Sequence, residues 1–178
     1  MKRVPRLSKD PTHLADCCTS LSAELISTLV AILPRQPALA LSVGSGTGLL
    51  EALIMRQCPD IRLQVTEVSE TVNQYLPRES LNIVYGTWAL CALAGEAAAW
   101  MFVYPRQASL LQNYIIEYGK RAVVTIVWLG PRVDFAEHRE VFEQLGSSWT
   151  IEIAKDCGIS TYEILAVWRK QAVESSGA

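Results

Sequence analysis

Residues 38–51, Ala-Leu-Ala-Leu-Ser-Val-Gly-Ser-Gly-Thr-Gly-Leu-Leu-Glu, decide how the rest of the chain is read. The apolar run 38–43 predicts a buried parallel strand. It breaks into Gly44, Gly46 and Gly48, and a helical pattern follows over 49–56. Glycine in such a turn permits unusual backbone angles and lets a ligand approach where a Cβ would otherwise stand. The helix that follows begins with unpaired N–H groups and a partial positive charge, which suit a carboxylate, a phosphate or ribose oxygens. A tight strand-to-helix turn that binds nothing does not need three alternating glycines.

A second strand is predicted over 61–67, and it ends in Glu67. An acid at that place can accept both hydroxyls of a ribose. The dinucleotide fingerprint Gly-x-Gly-x-x-Gly requires its third glycine where this chain has Leu49. The loop and the acid together resemble the class I S-adenosylmethionine-dependent methyltransferases, whose glycine loop reads acid-x-Gly-x-Gly-x-Gly and whose second strand closes in an acid. The resemblance implies S-adenosylmethionine as cofactor, held by Ser42, Gly44, Ser45, Gly46 and Gly48 and by Glu67 and Val68. There is one departure. The family's leading acid falls at Ser42, which leaves the methionine end of the cofactor without that partner.

The chain has 178 residues, half of them hydrophobic and 19% charged, which suits one domain with a real core and argues against wholesale disorder. A formal net charge of −2 gives no basic footprint for nucleic acid. Lys2, Arg3, Arg6 and Lys9 gather at the start and read as a frayed, soluble terminus. No apolar stretch reaches the roughly 18–20 residues of a membrane span, and the start lacks the apolar core of a signal peptide. The expectation is a cytoplasmic protein. Cys17, Cys18, Cys58, Cys91 and Cys157 form no C-x-x-C pair, and only His13 and His138 could assist them. They read as reduced, buried thiols, with no metal site.

Residues 1–11 carry Pro5 and Pro11 and read as an irregular lead-in. Thr12 is then a candidate cap for a helix running to about residue 33. Leu14, Cys17, Cys18, Leu21, Leu25, Leu29 and Ile32 form its apolar stripe, and Pro34 ends it. The plain reading is a helix packed on the sheet edge. The resemblance implies that helices before the glycine loop cover the cofactor, which would turn Thr12 and His13 toward an active site. A lone exposed histidine is the alternative.

Residues 69–76 allow two helical turns before Pro77, and 81–85 read as a third strand ending at Gly86, Thr87 and Trp88. The family commonly places Gly-Asp there, the Asp reading the adenine amino group. Here Gly86 is followed by Thr87, which can hydrogen-bond an adenine edge without charge, and Trp88 can stack on the ring or serve the core. Residues 89–98 are a tight connector, and 99–104 a buried strand. In the family the residues after the fourth strand face the transferred methyl group, which makes Tyr104 a candidate catalytic residue beside His13. Tyr104 and Arg106 are also candidate acceptor-binding residues; Arg106 reads equally as a solvated residue opening the next helix. The sequence 103–106 lacks the Asn-Pro-Pro-Tyr signature of transfer to amide or exocyclic nitrogen.

A helix is predicted over 109–118 with Gly119 as its cap, a central strand over 122–129 stopped by Gly130-Pro131, and a helix over 134–145 that leaves His138 at the surface. The chain closes with strands at 149–154 and 162–168 and no helix between them, a hairpin turned at 156–158. Seven strands alternating with helices and closing in an antiparallel hairpin match the Rossmann-like α/β sheet of the resembling family, mostly parallel with helices on both faces. The expected division is a lead-in and helix over 1–36, a cofactor-binding domain over 37–170 and a tail over 171–178. Three functions follow. The first is a methyltransferase acting on a small-molecule acceptor by in-line transfer. The second is a catalytically altered cofactor-binding protein acting as a partner subunit or binding module; the expected partners are the acceptor and either a second copy in a homodimer or a partner protein. The third, disfavoured by Leu49 and the hairpin, is a nucleotide-dependent oxidoreductase.

Overall fold

The computed structural model describes residues 1–172. The elements run β1 (Thr12–His13), β2 (Ser20–Leu21), α1 (Ala23–Ile32), β3 (Leu39–Val43), α2 (Leu49–Gln57), β4 (Arg62–Glu67) and β5 (Leu81–Ile83). They continue through β6 (Ala99–Val103), α3 (Ala108–Tyr118), β7 (Thr125–Pro131), α4 (Phe135–Phe142), β8 (Trp149–Ile153) and β9 (Glu163–Lys170). Seven strands form one sheet in the order β5-β4-β3-β6-β7-β9-β8, while β1 and β2 pair separately. Strands β3 to β7 are parallel, and β9 runs antiparallel between β7 and β8.

Side chains of a strand alternate between faces, so each central strand feeds two cores. Ala40, Ala99, Met101, Val127, Leu129 and Leu165 face the layer of α1 and α2. Leu41, Trp100, Phe102, Ile126, Trp128 and Trp168 face α3 and α4. The second layer is aromatic: Phe142 lies 4.1 Å from Trp168 between ring centroids, and Phe102 lies 5.7 Å from Tyr114. The near-continuous apolar runs of β6 and β7 follow from burial on both faces. The chain winds outward from β3 through β4 to β5, then returns to β6 on the other side. A crevice therefore opens at the carboxyl ends of β3 and β6, where the strand order reverses.

The seven-stranded, mostly parallel sheet with its terminal hairpin is as read from sequence, but several elements differ. The predicted helix from residue 12 is only α1. Ser22 caps it, accepting from the Leu25 N–H at 3.0 Å, and the preceding residues form the β1–β2 hairpin. The apparent stripe through Leu14, Cys17 and Cys18 belongs to that hairpin's loop, and Cys18 is exposed. Residues 69–76 form turns and no helix; Asn73 closes one of them through its own side chain, on Leu76. Strand β5 stops at Ile83, two residues short of the expected end. Strand β7 is displaced to Thr125–Pro131 and includes Gly130 and Pro131, because β9 continues to pair with both. Gly119 caps α3 in a right-handed conformation, φ −63°. His138 is buried, its Nδ1 2.8 Å from the Asp134 carbonyl and its ring 5.3 Å from Trp128. Of the predicted tail, residues 173–178 lie outside the described residues. Among the described residues no helix is long and apolar enough to cross a membrane.

Candidate functional site

The glycine loop leaves β3 and bends across the carboxyl end of β4, where the N–H groups of Gly44 and Ser45 donate to the Thr66 carbonyl. Gly44, Gly46 and Gly48 all have positive φ, at 76°, 56° and 78°. Two different reasons require glycine. A Cβ at Gly44 or Gly46 would meet nothing within 4 Å, so both border open space. A Cβ at Gly48 would stand 2.6 Å from Leu76 Cδ1, so this one serves packing at the start of α2. The loop thus presents bare backbone to the crevice.

Glu67 ends β4 beside it. Its Oε1 accepts from the Gly46 N–H at 2.8 Å and its Oε2 from the Val68 N–H at 2.9 Å, which fixes the carboxylate at the loop. Beyond the strand end, Val68, Tyr85 and Trp88 are 44%, 94% and 53% exposed. Tyr85 and Trp88 flank Gly86, which has φ +107° and open space where a Cβ would lie. Thr87 is exposed in the same turn. A carboxylate beside an exposed aromatic shelf suits a ribose joined to a planar base.

Residues 12–22 form a strap across the other side. Thr47 in the loop donates to the Asp16 carbonyl at 2.6 Å, and the Tyr75 hydroxyl donates to Asp16 Oδ2 at 2.5 Å. Lys2 and Tyr75 hold the Asp16 carboxyl below its usual range, the Tyr75 hydrogen bond most of all. The far end of the strap is tied by Glu163, a buried carboxylate at the start of β9. It accepts from the Thr19 hydroxyl at 2.9 Å, from the N–H and hydroxyl of Ser20, from the Ser160 N–H at 2.9 Å and from the Tyr104 hydroxyl at 2.7 Å. Burial alone would raise this carboxyl, but the hydrogen bonds from Ser20 and Tyr104 outweigh that and hold it below the usual carboxylate range. Tyr104 follows β6 in a left-handed conformation, φ +51°, uncommon for a residue with a Cβ. Burial first, and the bond to Glu163 second, push its phenol up, so it is no ready base.

Beneath the loop lies a second buried acid. Glu51, in the first turn of α2, is 2% exposed and its Oε1 accepts from the Ser42 hydroxyl at 2.6 Å. Burial pushes its carboxyl up to about 7, against the Ser42 hydrogen bond and with a smaller contribution from the charge of Glu67. Its Oε2 has no partner. Ser45 Oγ and Thr66 Oγ1 are likewise buried without a partner, so three of the five such atoms among the described residues lie at this loop and its two flanking elements. Buried polar atoms are ordinarily hydrogen-bonded, and their concentration here suits a ligand-binding region.

Gly44, Ser45, Gly46, Glu67 and Val68 lie together at the carboxyl ends of β3 and β4, with Ser42 buried and Gly48 packed on Leu76. Gly86, Thr87 and Trp88 lie beyond the end of β5, and Tyr104 follows β6. His13 lies on the exposed side of the strap hairpin, paired in register with Ser20, and its ring has no hydrogen-bond partner among the described residues. Arg106 is exposed two residues beyond Tyr104. Glu51, Glu163, Thr19, Ser20, Asp16 and Tyr75 were missed by sequence reasoning. For the two glutamates a signal existed: each is an acid set in an apolar run, Leu-Leu-Glu-Ala-Leu-Ile and Glu-Ile-Leu-Ala-Val. Cys17 is pushed up to about 12, chiefly by burial, which makes it a poor nucleophile.

No protein-family model matches the chain, and no curated protein sequence matches it. Solved structures do. A precorrin-6y C5,15-methyltransferase from Geobacter metallireducens aligns with 85% of this chain and 88% of its own, at 12% identity and a TM-score of 0.61. The 23S rRNA methyltransferase ErmE aligns with 85% of this chain and 69% of its own, at 14% identity and a TM-score of 0.60. The plantazolicin methyltransferase BpumL, in complex with a desmethylPZN analog and SAH, aligns over 84% and 82%, at 13% identity and a TM-score of 0.53. At these identities the likeness is one of fold: the chain has the Rossmann-like fold of class I S-adenosylmethionine-dependent methyltransferases.

Proposed function

We propose that the chain binds S-adenosylmethionine through residues 37–170, under the cover of residues 1–36, and transfers its methyl group to a small-molecule acceptor. The observation that carries this reading is the Glu67 carboxylate held against the Gly46 N–H, at a loop whose first two glycines border open space. The residues fit the cofactor. Glu67 offers acceptors to the ribose hydroxyls, the bare loop admits the chain that joins ribose to methionine, and Tyr85 and Trp88 offer faces to the adenine with Thr87 at its edge. The cofactor's sulfonium supplies the activated methyl group. The protein's share is alignment and exclusion of water, and holding two reactants in line can contribute about 7–11 kcal/mol. Tyr104, clamped by Glu163, forms the wall on the acceptor side, with Arg106 beyond it as a contact for an anionic group. The net charge of −2 favours a small acceptor over an RNA.

Calorimetric titration with S-adenosylmethionine and S-adenosylhomocysteine tests the cofactor. Both are expected to bind, and Glu67→Ala to weaken them by about ten- to a hundredfold, the worth of hydrogen bonds to a charged group. Unchanged affinity in that variant would remove the ribose assignment; no binding by the folded wild-type protein would remove the whole reading. A second reading, a cofactor-binding subunit without transfer activity, is favoured by the strap, whose Thr19 and Ser20 are fully buried on the acceptor side. Binding without transfer to any acceptor tried would favour it.

A further inference from the structure

Ser42 and Glu51 form a buried pair directly under the glycine loop. Ser42 precedes Gly44 by two residues and is 1% exposed; its hydroxyl proton goes to Glu51 Oε1. The remaining oxygen, Oε2, is shielded from solvent and accepts from no group of the chain. A carboxylate oxygen in that condition is costly, because it has lost water and gained no donor. A stability role would have provided a donor from the protein, as Glu163 shows with five in the same molecule. Glu51 feels the charge of Glu67 on β4, and Cys17 of the strap feels that of Glu51. Neither Glu67 nor Cys17 is a cation, and the burial that pushes Cys17 up keeps it from ionising. Among the described residues no Lys or Arg side chain forms an ion pair with Glu51.

We infer that Glu51, with Ser42 orienting it, is the counter-charge for the α-ammonium of an amino-acid moiety carried by the ligand of the glycine loop. The inference rests on the cofactor reading above and adds a residue outside the loop and strand ends. Ser42 fills one lone pair of the carboxylate and leaves the other for an N–H donor, reached directly or through one water. Burial holds the carboxyl up at about 7, and a cation beside it favours the charged form, so an ammonium meets that requirement; a phosphate or carboxylate at the same place would disfavour that form. The site therefore selects a zwitterionic adenosyl amino acid over an adenosyl fragment that lacks the amine.

The test compares S-adenosylhomocysteine with its deaminated analogue, identical except for the missing α-amine, by calorimetry on the full chain. Wild-type protein is expected to favour S-adenosylhomocysteine by about ten- to a hundredfold, the worth of a hydrogen bond between charged groups. Glu51→Gln, nearly isosteric, and Glu51→Met, suited to a buried position, are each expected to reduce that ratio to near one while still binding the deaminated analogue. Circular dichroism establishes which variants are folded, and the ratio is scored on those. A wild-type ratio near one overturns the inference, as does a variant that keeps the wild-type ratio. Failure of the wild-type protein to bind either compound, or 5′-methylthioadenosine, instead overturns the cofactor reading itself.

Discussion

Glu163 collects hydrogen bonds from three parts of the chain that are far apart in sequence: the strap at Thr19 and Ser20, the end of β6 at Tyr104, and Ser160. Removing the acceptor is worse than removing one donor. Glu163→Ala leaves two N–H groups and three hydroxyls without it, and is expected to destabilise the protein by about 3 kcal/mol or more. Tyr104→Phe leaves four donors in place and is expected to cost about 1–2 kcal/mol. Urea unfolding of both variants checks the order, and equal losses would mean that the cluster does not act through the carboxylate. The folded carboxyl lies below its ordinary value of 4.5, so its contribution is present above that pH and is lost as pH falls through the folded value. The alanine variant is expected to lack that acid-side loss.

The glycine loop shows two uses of one residue type within a single element. Gly48→Ala would set a Cβ 2.6 Å from Leu76 Cδ1 and 2.7 Å from its Cγ, at φ +78°. Strain and overpacking together predict a loss of about 2–4 kcal/mol. Gly46→Ala has φ +56° and open space, so the loss is about 1–2 kcal/mol. The order reverses for ligand binding, since only the Gly46 substituent enters the crevice. Thermal unfolding and calorimetry of the two variants therefore give opposite rankings, and identical rankings would contradict this division of the loop. The strap is an element of another kind. Two residues on each side of its loop form the β1–β2 hairpin, and its placement comes from Asp16 and Glu163, whose partners lie elsewhere in the chain.

At the scale of the molecule, the sheet brings the carboxyl ends of β3, β4 and β6 to one edge of the crevice and packs two cores behind them. A ligand that binds only this assembled edge stabilises the fold by mass action. S-adenosylhomocysteine at about a hundred times its dissociation constant is expected to add about 2.7 kcal/mol. For a domain of this size that is a rise of about 5–10 °C in Tm. Thermal unfolding with and without the compound reads it, and an unmoved Tm under saturating ligand would count against binding to the native crevice.

The order of the seven strands of the main sheet was legible in the chain, because that order is written in local signals. Strand β3 with its glycine loop, the apolar runs of β6 and β7 and the closing hairpin each carry their pattern within a few residues. The same locality made Gly44, Gly46, Gly48 and Glu67 legible as a site. What becomes of the polar residues that look ordinary in sequence depends on contacts between distant parts of the chain. Thr19 and Ser20 leave the predicted helix because Glu163, more than 140 residues on, takes their hydrogen bonds. Ser42 stands where an acid was expected, and the acid that answers it comes from the next helix, nine residues later. Periodicity records which face of an element is apolar. It does not record which distant donor a buried carboxylate will meet, and here those meetings shape the site.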